Sequence, residues 1–124
     1  MRHPGSASAT TSIRSSYKAA MDRIEQLRKF ILASPDDPLP RYALALELKG
    51  KGDASAASKE LGELLERKPD YLAAYLQLGM LLTALDRVEE ARDALVRGQE
   101  IARRQGNAHT LSELTQALET LGSR

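Results

Sequence analysis

The chain has 124 residues, no cysteine and a formal net charge of +1, from 18 basic and 17 acidic side chains. A chain of this length is expected to form one domain with a sizeable core. The balanced charge argues against a nucleic acid as the partner, and the lack of cysteine excludes disulfides and thiolate metal sites.

The first twelve residues, MRHPGSASATTS, are small and polar. They lack the apolar segment of a secretory signal. Ser-rich, acid-free segments also occur in transit peptides, but the composition favours a disordered tail over residues 1–12. No apolar stretch approaches the roughly 18 residues of a membrane span. We therefore predict a cytoplasmic protein with no membrane partner.

Apolar residues at helical spacing predict a first helix over residues 13–33. Six of them alternate in spacing between four and three, which forms a heptad seam: Ile13, Tyr17, Ala20, Ile24, Leu27 and Ile31. Such a seam can join two chains as a coiled coil, so a homodimer through this helix is one interpretation. Met21 and Phe30 broaden the apolar stripe, which favours the other interpretation, packing onto the domain that follows.

The rest of the chain predicts five further helices, over residues 38–50, 54–67, 72–85, 88–104 and 108–121. Polar residues suited to cap them stand at their starts: Asp37, Asp53, Asp70, Asn107, and Asp86 with Glu89 as a capping box. Gly52 is expected in a left-handed turn that ends its helix, and the fifth helix is expected to run on until Gly106. No stretch alternates long enough to predict a strand, so the fold class is all-α.

Two prolines, Pro35 and Pro69, interrupt this helical pattern 34 residues apart. At the same offset the apolar and small positions repeat: Leu44 with Leu78, Leu48 with Leu82, Ala57 with Ala91, and Leu61 with Leu95. A helix-turn-helix unit used twice explains this pattern. Leu27 and Phe30 precede Leu61 and Leu64 by the same interval, so the first helix corresponds to the second half of a unit whose first half is missing.

These positions resemble the tetratricopeptide repeat family over about residues 35–103. The second unit matches the family pattern well, with Tyr75, Leu78, Gly79, Leu82, Ala91, Leu95 and Gly98. The first unit departs at Arg41, which stands at an aromatic position, and the second lacks a closing proline at Arg103. The resemblance implies a right-handed α-α superhelix, in a small bacterial-type member with two repeats and a flanking helix at each end. We expect a flanking helix at 13–33, repeats at 35–68 and 69–104, and a capping helix at 108–121.

In this family the first helix of each unit lines a concave face that holds peptides. Carried over by position, the resemblance places nine residues there: Leu39, Tyr42, Leu46, Lys49, Ala73, Leu76, Gln77, Met80 and Thr83. The family's carboxylate clamp of Lys, Arg and Asn is absent, so an apolar segment of a partner suits this groove better. Either the large apolar side chains are exposed as a binding patch, or the flanking helices cover them.

Catalytic and cofactor motifs are absent from the sequence, which has no P-loop, no GxGxxG and no nucleophile elbow. His109 and Glu113 stand four residues apart, but two ligands do not make a metal site. We therefore predict no metal, no cofactor and no enzymatic activity. The predicted function is a non-catalytic protein-protein interaction module, with self-association through helix 13–33 as the alternative.

Overall fold

The computed structural model describes residues 4–123, with side chains described from Ile13 onward. This part of the chain contains six α-helices and no strand: α1 (Pro4–Ala33), α2 (Pro38–Gly50), α3 (Ala54–Arg67), α4 (Leu72–Ala84), α5 (Val88–Gln105) and α6 (Ala108–Gly122). The bounds of α2 to α6 differ from the predicted ones by at most one residue at either end.

The first helix starts earlier than predicted, at Pro4 rather than residue 13. Proline is tolerated in the first turn of a helix, and the Ser, Ala and Thr residues that follow cost little in helical conformation. The predicted tail at residues 1–12 therefore overlaps α1, and its first three residues lie outside the described residues.

Three predicted helix caps are confirmed by hydrogen bonds from backbone N–H groups. The Asp37 carboxylate accepts from Leu39 N at 3.1 Å, and the Asp53 carboxylate accepts from Ala56 N at 3.1 Å. The Asn107 side chain accepts from Thr110 N at 3.0 Å. Each bond satisfies a donor that the first turn of a helix leaves without a partner.

The other two predicted capping residues, Asp70 and Asp86, do not stand directly before their helices, because α4 begins at Leu72 and α5 at Val88. Tyr71 precedes α4 and Arg87 precedes α5, and neither makes a side-chain capping bond. Asp86 instead adopts a left-handed backbone with φ of 61°. It closes the turn after α4, as Gly52 does one unit earlier with φ of 93°.

The helices stack in chain order as a right-handed superhelix, each packed against the next. Their buried side chains form two clusters. The first cluster joins α1, α2, α3 and α4 and includes Ile24, Leu44, Leu48, Leu61, Leu64 and Leu81. The second joins α4, α5 and α6 and includes Tyr75, Leu82, Leu95, Ile101, Leu114 and Leu121. Leu65 and Leu78 touch both clusters, so the core is continuous from α1 to α6.

Small residues permit the close contacts between helices, as the repeat pattern predicts. Ala57 and Ala91 are fully buried. Gly79 leaves room for the Leu95 side chain, which a β-carbon at that position would overlap. Larger side chains at these positions would push the helices apart.

None of the described helices is long and apolar enough to cross a membrane.

Candidate functional site

The predicted site residues lie on α2 and α4, which occupy one layer of the molecule together with α6. The Lys49 ammonium on α2 donates a hydrogen bond to Gln77 Oε1 on α4 at 2.9 Å, and α4 packs against α6. The three helices therefore lie side by side in the order α2, α4, α6. We call their exposed surface the inner face.

The inner face leaves large apolar side chains open to solvent. Leu39 is 64% exposed, Leu46 is 40% exposed and Met80 is 46% exposed. Lys49 and Ala73 are exposed, and four of the predicted residues are half-buried: Tyr42, Leu76, Gln77 and Thr83. The sequence left open whether the flanking helices cover these side chains. In the structure they leave Leu46 and Met80 accessible.

A polar bridge crosses the middle of the inner face. It consists of the hydrogen bond from the Lys49 ammonium to Gln77. The Tyr42 ring packs on the Tyr71 ring with a centroid distance of 5.3 Å. Burial raises the pKa of the Tyr42 hydroxyl above its ordinary value. The bridge divides the face into two parts.

On the α6 side of this bridge lies a hollow of about 410 Å³, which we call the C-terminal hollow. Leu76, Met80 and Thr83 of α4 form one wall, and the opposite wall comes from α6. The α6 residues are Glu113, Gln116, Ala117 and Thr120. The structure thus brings together three of the predicted residues, with an apolar floor and a rim that is polar and carries one carboxylate.

On the other side of the bridge lies a second hollow, of about 590 Å³, which we call the N-terminal hollow. It is lined by Arg23, Gln26, Leu27 and Phe30 of α1 and by Ala43, Leu46, Glu47 and Gly50 of α2. Leu46 therefore lies in a different hollow from Leu76 and Met80, although the sequence placed all three in one groove. Leu39 and Ala73 line neither hollow.

Sequence reasoning missed most of the α6 wall. The resemblance to the repeat family implies Ser112, Gln116 and Glu119 of the terminal helix as neighbours of the groove, and of these Gln116 lines the C-terminal hollow. Glu113 and Thr120 stand three residues before and four residues after Gln116, so they share its side of the helix. Helical periodicity counted from Gln116 was therefore the signal that could have found them.

Arg41 has a structural role that the sequence did not reveal. It is 6% exposed and its Nη1 lies 2.9 Å from Glu63 Oε2 and 3.3 Å from Glu60 Oε2. The buried guanidinium thus ties α2 to α3 at the position where the repeat pattern has an aromatic residue. It faces away from the inner face and is not part of the candidate site.

The described residues bring no three His, Asp or Glu side chains together as a metal site. His109 Nε2 lies 3.4 Å from Glu113 Oε1, and the histidine side chain is 87% exposed. The inner face presents apolar side chains, hydrogen-bonding groups, the Lys49 ammonium and the Glu113 carboxylate.

Stacked helices, a 34-residue repeat and an open layer of first helices define a helical-repeat protein of the solenoid class. A family model described as tetratricopeptide repeat matches residues 48–121. A TPR repeat-containing protein of Pseudomonas aeruginosa is 31% identical over 98 residues, which cover 79% of this chain and 93% of that protein. The chain belongs to the tetratricopeptide repeat family.

Solved structures agree with this assignment. The crystal structure of a tetratricopeptide repeat domain protein from Salinibacter ruber is 42% identical, with a TM-score of 0.66, over 69% of this chain and 97% of that one. The TPR2B domain of yeast Sti1, solved as a pHsp70 complex, is 16% identical, with a TM-score of 0.76, over 88% of this chain and 90% of that one. The predicted all-α solenoid is confirmed.

Proposed function

We propose that this chain is a non-catalytic interaction module that binds an apolar segment of another protein in the C-terminal hollow. The observation that carries this proposal is the pair Leu76 and Met80, which present an apolar surface in an open hollow of about 410 Å³. Leu76 packs partly against the core of α4, α5 and α6 and shows the rest of its side chain to the hollow, whereas Met80 is 46% exposed. Met80 suits such a site because its flexible thioether adapts to different partner side chains.

The polar groups around the hollow set the orientation of the bound segment. Gln77 stands on one side, held by Lys49, and Glu113 stands on the other. A partner with one apolar stripe and a basic or amide group beside it satisfies both sides, as one face of an amphipathic helix would. The pHsp70 complex of the Sti1 domain gives a precedent for peptide recognition on this fold.

A matched pair of substitutions tests the proposal. Met80→Glu places a charge in the hollow, and Val96→Glu places the same charge on α5, outside the inner face. The two side chains are similarly exposed, at 46% and 49%. We expect a partner captured from the source lysate by the wild type to be retained by Val96→Glu and lost by Met80→Glu. Retention of the same proteins by Met80→Glu would contradict the proposal.

The second candidate function, self-association through α1, concerns a different surface. Ile13 is 71% exposed and Tyr17 is 58% exposed, although both continue the apolar seam of Ile24, which is 4% exposed. An apolar seam left open at one end favours a further helix as its partner.

The cytoplasmic location and the exclusion of nucleic-acid and membrane partners stay predictions.

A further inference from the structure

The N-terminal hollow corresponds to a place that a helix fills in the following units. Leu27 and Phe30 of α1 stand 34 residues before Leu61 and Leu64 of α3. Leu61 and Leu64 are each 1% exposed, because they pack in one cluster with the buried residues of α2. Phe30 is 50% exposed. This surface of α1 is thus apolar like the corresponding surface of α3, but no described helix of the same chain packs on it.

Arg23 in the hollow differs from the residues at the same position of the next units, and this difference restricts which helix can pack on the hollow. Arg23 stands where the next units have Ala57 and Ala91, both fully buried under a neighbouring helix. The Arg23 guanidinium pairs with Glu47, at 2.7 Å from Nε to Oε1 and 3.3 Å from Nη2 to Oε2. A helix that lies over this pair must therefore present small, uncharged side chains to Arg23.

The N-terminal half of α1 has such a surface. α1 has 30 residues and α2 has 13, which corresponds to lengths of about 45 Å and about 20 Å, so α1 projects well past the end of α2. Ile13 lies on this projecting segment and is open to solvent, and Tyr17 is 58% exposed with the Lys51 ammonium 5.7 Å from its ring centroid. Beside them on the helix surface lie Ser16 and Ala20, which are small and uncharged.

We propose that two copies of this chain pair their α1 helices antiparallel, so that residues 13–20 of each copy occupy the N-terminal hollow of the other. In this register Ile13 of one copy meets Phe30 of the other, and Ala20 meets Arg23. An antiparallel α1 runs in the same direction as α2, which is the direction that the helix preceding α1 would have in a complete unit. Because the arrangement has two-fold symmetry, both projecting segments and both hollows are covered at once.

Charge also favours a second copy as the occupant. Among the described residues, the only charged groups that line the hollow are Arg23 and Glu47, and they pair with each other. The side of the projecting segment that enters the hollow carries Ile13, Ser16 and Ala20, without a charge. Neither surface therefore leaves an unpaired charge buried in the contact.

The test measures the mass of the intact chain in solution by analytical ultracentrifugation, from micromolar to sub-millimolar concentrations. We expect a dimer for the wild type. Phe30→Glu on the hollow and Ile13→Lys on the projecting segment should each raise the dimer dissociation constant at least about tenfold, since each change occurs twice in the dimer. An equimolar mixture of the two variants should form a heterodimer, because one contact becomes Lys with Glu and the other stays Phe with Ile.

Two controls separate the outcomes. Leu32→Glu changes another exposed apolar side chain of α1, which lies on a different side of the helix and is 81% exposed, and should leave the dimer intact. Met80→Glu should also leave it intact, so a failure of partner binding in the C-terminal hollow is distinguished from a failure of dimerisation. Circular dichroism establishes that each variant is helical.

A wild-type monomer over the whole concentration range would overturn the proposal. A dimer that Phe30→Glu leaves unchanged would overturn it as well, as would variants that do not pair when mixed. The proposal rests on the self-association candidate stated above and is independent of the C-terminal hollow.

Discussion

Gly98 of α5 lies so close to α4 that a β-carbon on Gly98 would stand 2.7 Å from the β-carbon of Tyr75. The same atom would stand 2.9 Å from Leu114 Cδ2 of α6. Three consecutive helices therefore meet at a point that admits only glycine. Gly62 of α3 is the opposite case, because a β-carbon there would have no neighbour within 4 Å.

This contrast predicts opposite effects for the same substitution. Gly98→Ala should lower the free energy of unfolding by about 1–3 kcal/mol, because the overlap with a β-carbon next to the Tyr75 backbone cannot relax easily. Gly62→Ala should raise it by up to about 1 kcal/mol, since alanine favours the helix and has room. Urea unfolding of both variants measures the difference. Equal effects of the two changes would contradict this account.

Gly52 is required by the turn between α2 and α3. Its φ of 93° is a conformation that side chains with a β-carbon rarely adopt. We expect Gly52→Ala to lower the free energy of unfolding by about 1–2 kcal/mol. Gly50→Ala, two residues earlier at the end of α2, is the control and should cost nothing, because it is helical and open. Thermal unfolding measures both variants. Equal shifts of the unfolding midpoint in Gly52→Ala and Gly50→Ala would show that the turn does not require glycine.

Removing the Arg41 side chain should lower the free energy of unfolding more than removing an arginine of an exposed ion pair, because Arg41 is buried. Arg41→Met leaves Glu60, whose side chain is 15% exposed, with only the longer contact to Arg28 at 3.9 Å, and we expect a loss of about 3 kcal/mol. Arg92→Met breaks a pair whose side chains are 43% and 88% exposed and should cost less than about 1 kcal/mol.

Neutralising the acids should recover stability in the Arg41→Met background. We expect Glu60→Gln together with Glu63→Gln to restore a large part of the loss, as the buried charge is then gone. Chemical denaturation of the three variants, with the wild type as reference, measures these free energies of unfolding. If the added amides restore nothing, packing of the guanidinium and not its charge would be the cause.

The buried tyrosines predict a loss of stability at alkaline pH. Burial raises the pKa of Tyr42, Tyr71 and Tyr75 above the ordinary value of 10.0. The unfolded chain therefore loses these protons at a lower pH than the folded chain does. The stabilisation is fully present below about pH 10 and falls as pH rises through the folded-state pKa values.

Urea unfolding at about pH 8 and about pH 11 checks this pH dependence, and Tyr75→Phe should make the decline smaller. The hydroxyl of Tyr75 also donates to Pro69 O at 2.7 Å, so this variant should be less stable at pH 8 as well. A decline of the same size in the variant would show that Tyr75 does not contribute to it.

Local sequence signals determined where the helices lie and how they end. The caps at Asp37, Asp53 and Asn107 and the turn at Gly52 each depend on one residue and the backbone next to it, so they could be read from the chain. Asp70 and Asp86 do not stand at the cap position of α4 and α5. A cap residue stands directly before the first helical residue, and Tyr71 and Arg87 occupy those positions.

The sequence by itself determined the fold class, the repeat and the layer on which the candidate residues lie, because a 34-residue period of apolar and small residues is compatible with few packings. Only the tertiary structure decided how the candidate residues are grouped. Leu46 faces α1, whereas Met80 faces α6, and the bridge from Lys49 to Gln77 separates them. Which helix borders each side chain depends on neighbours distant in the chain, and a periodic pattern carries no information about where a stack of helices ends.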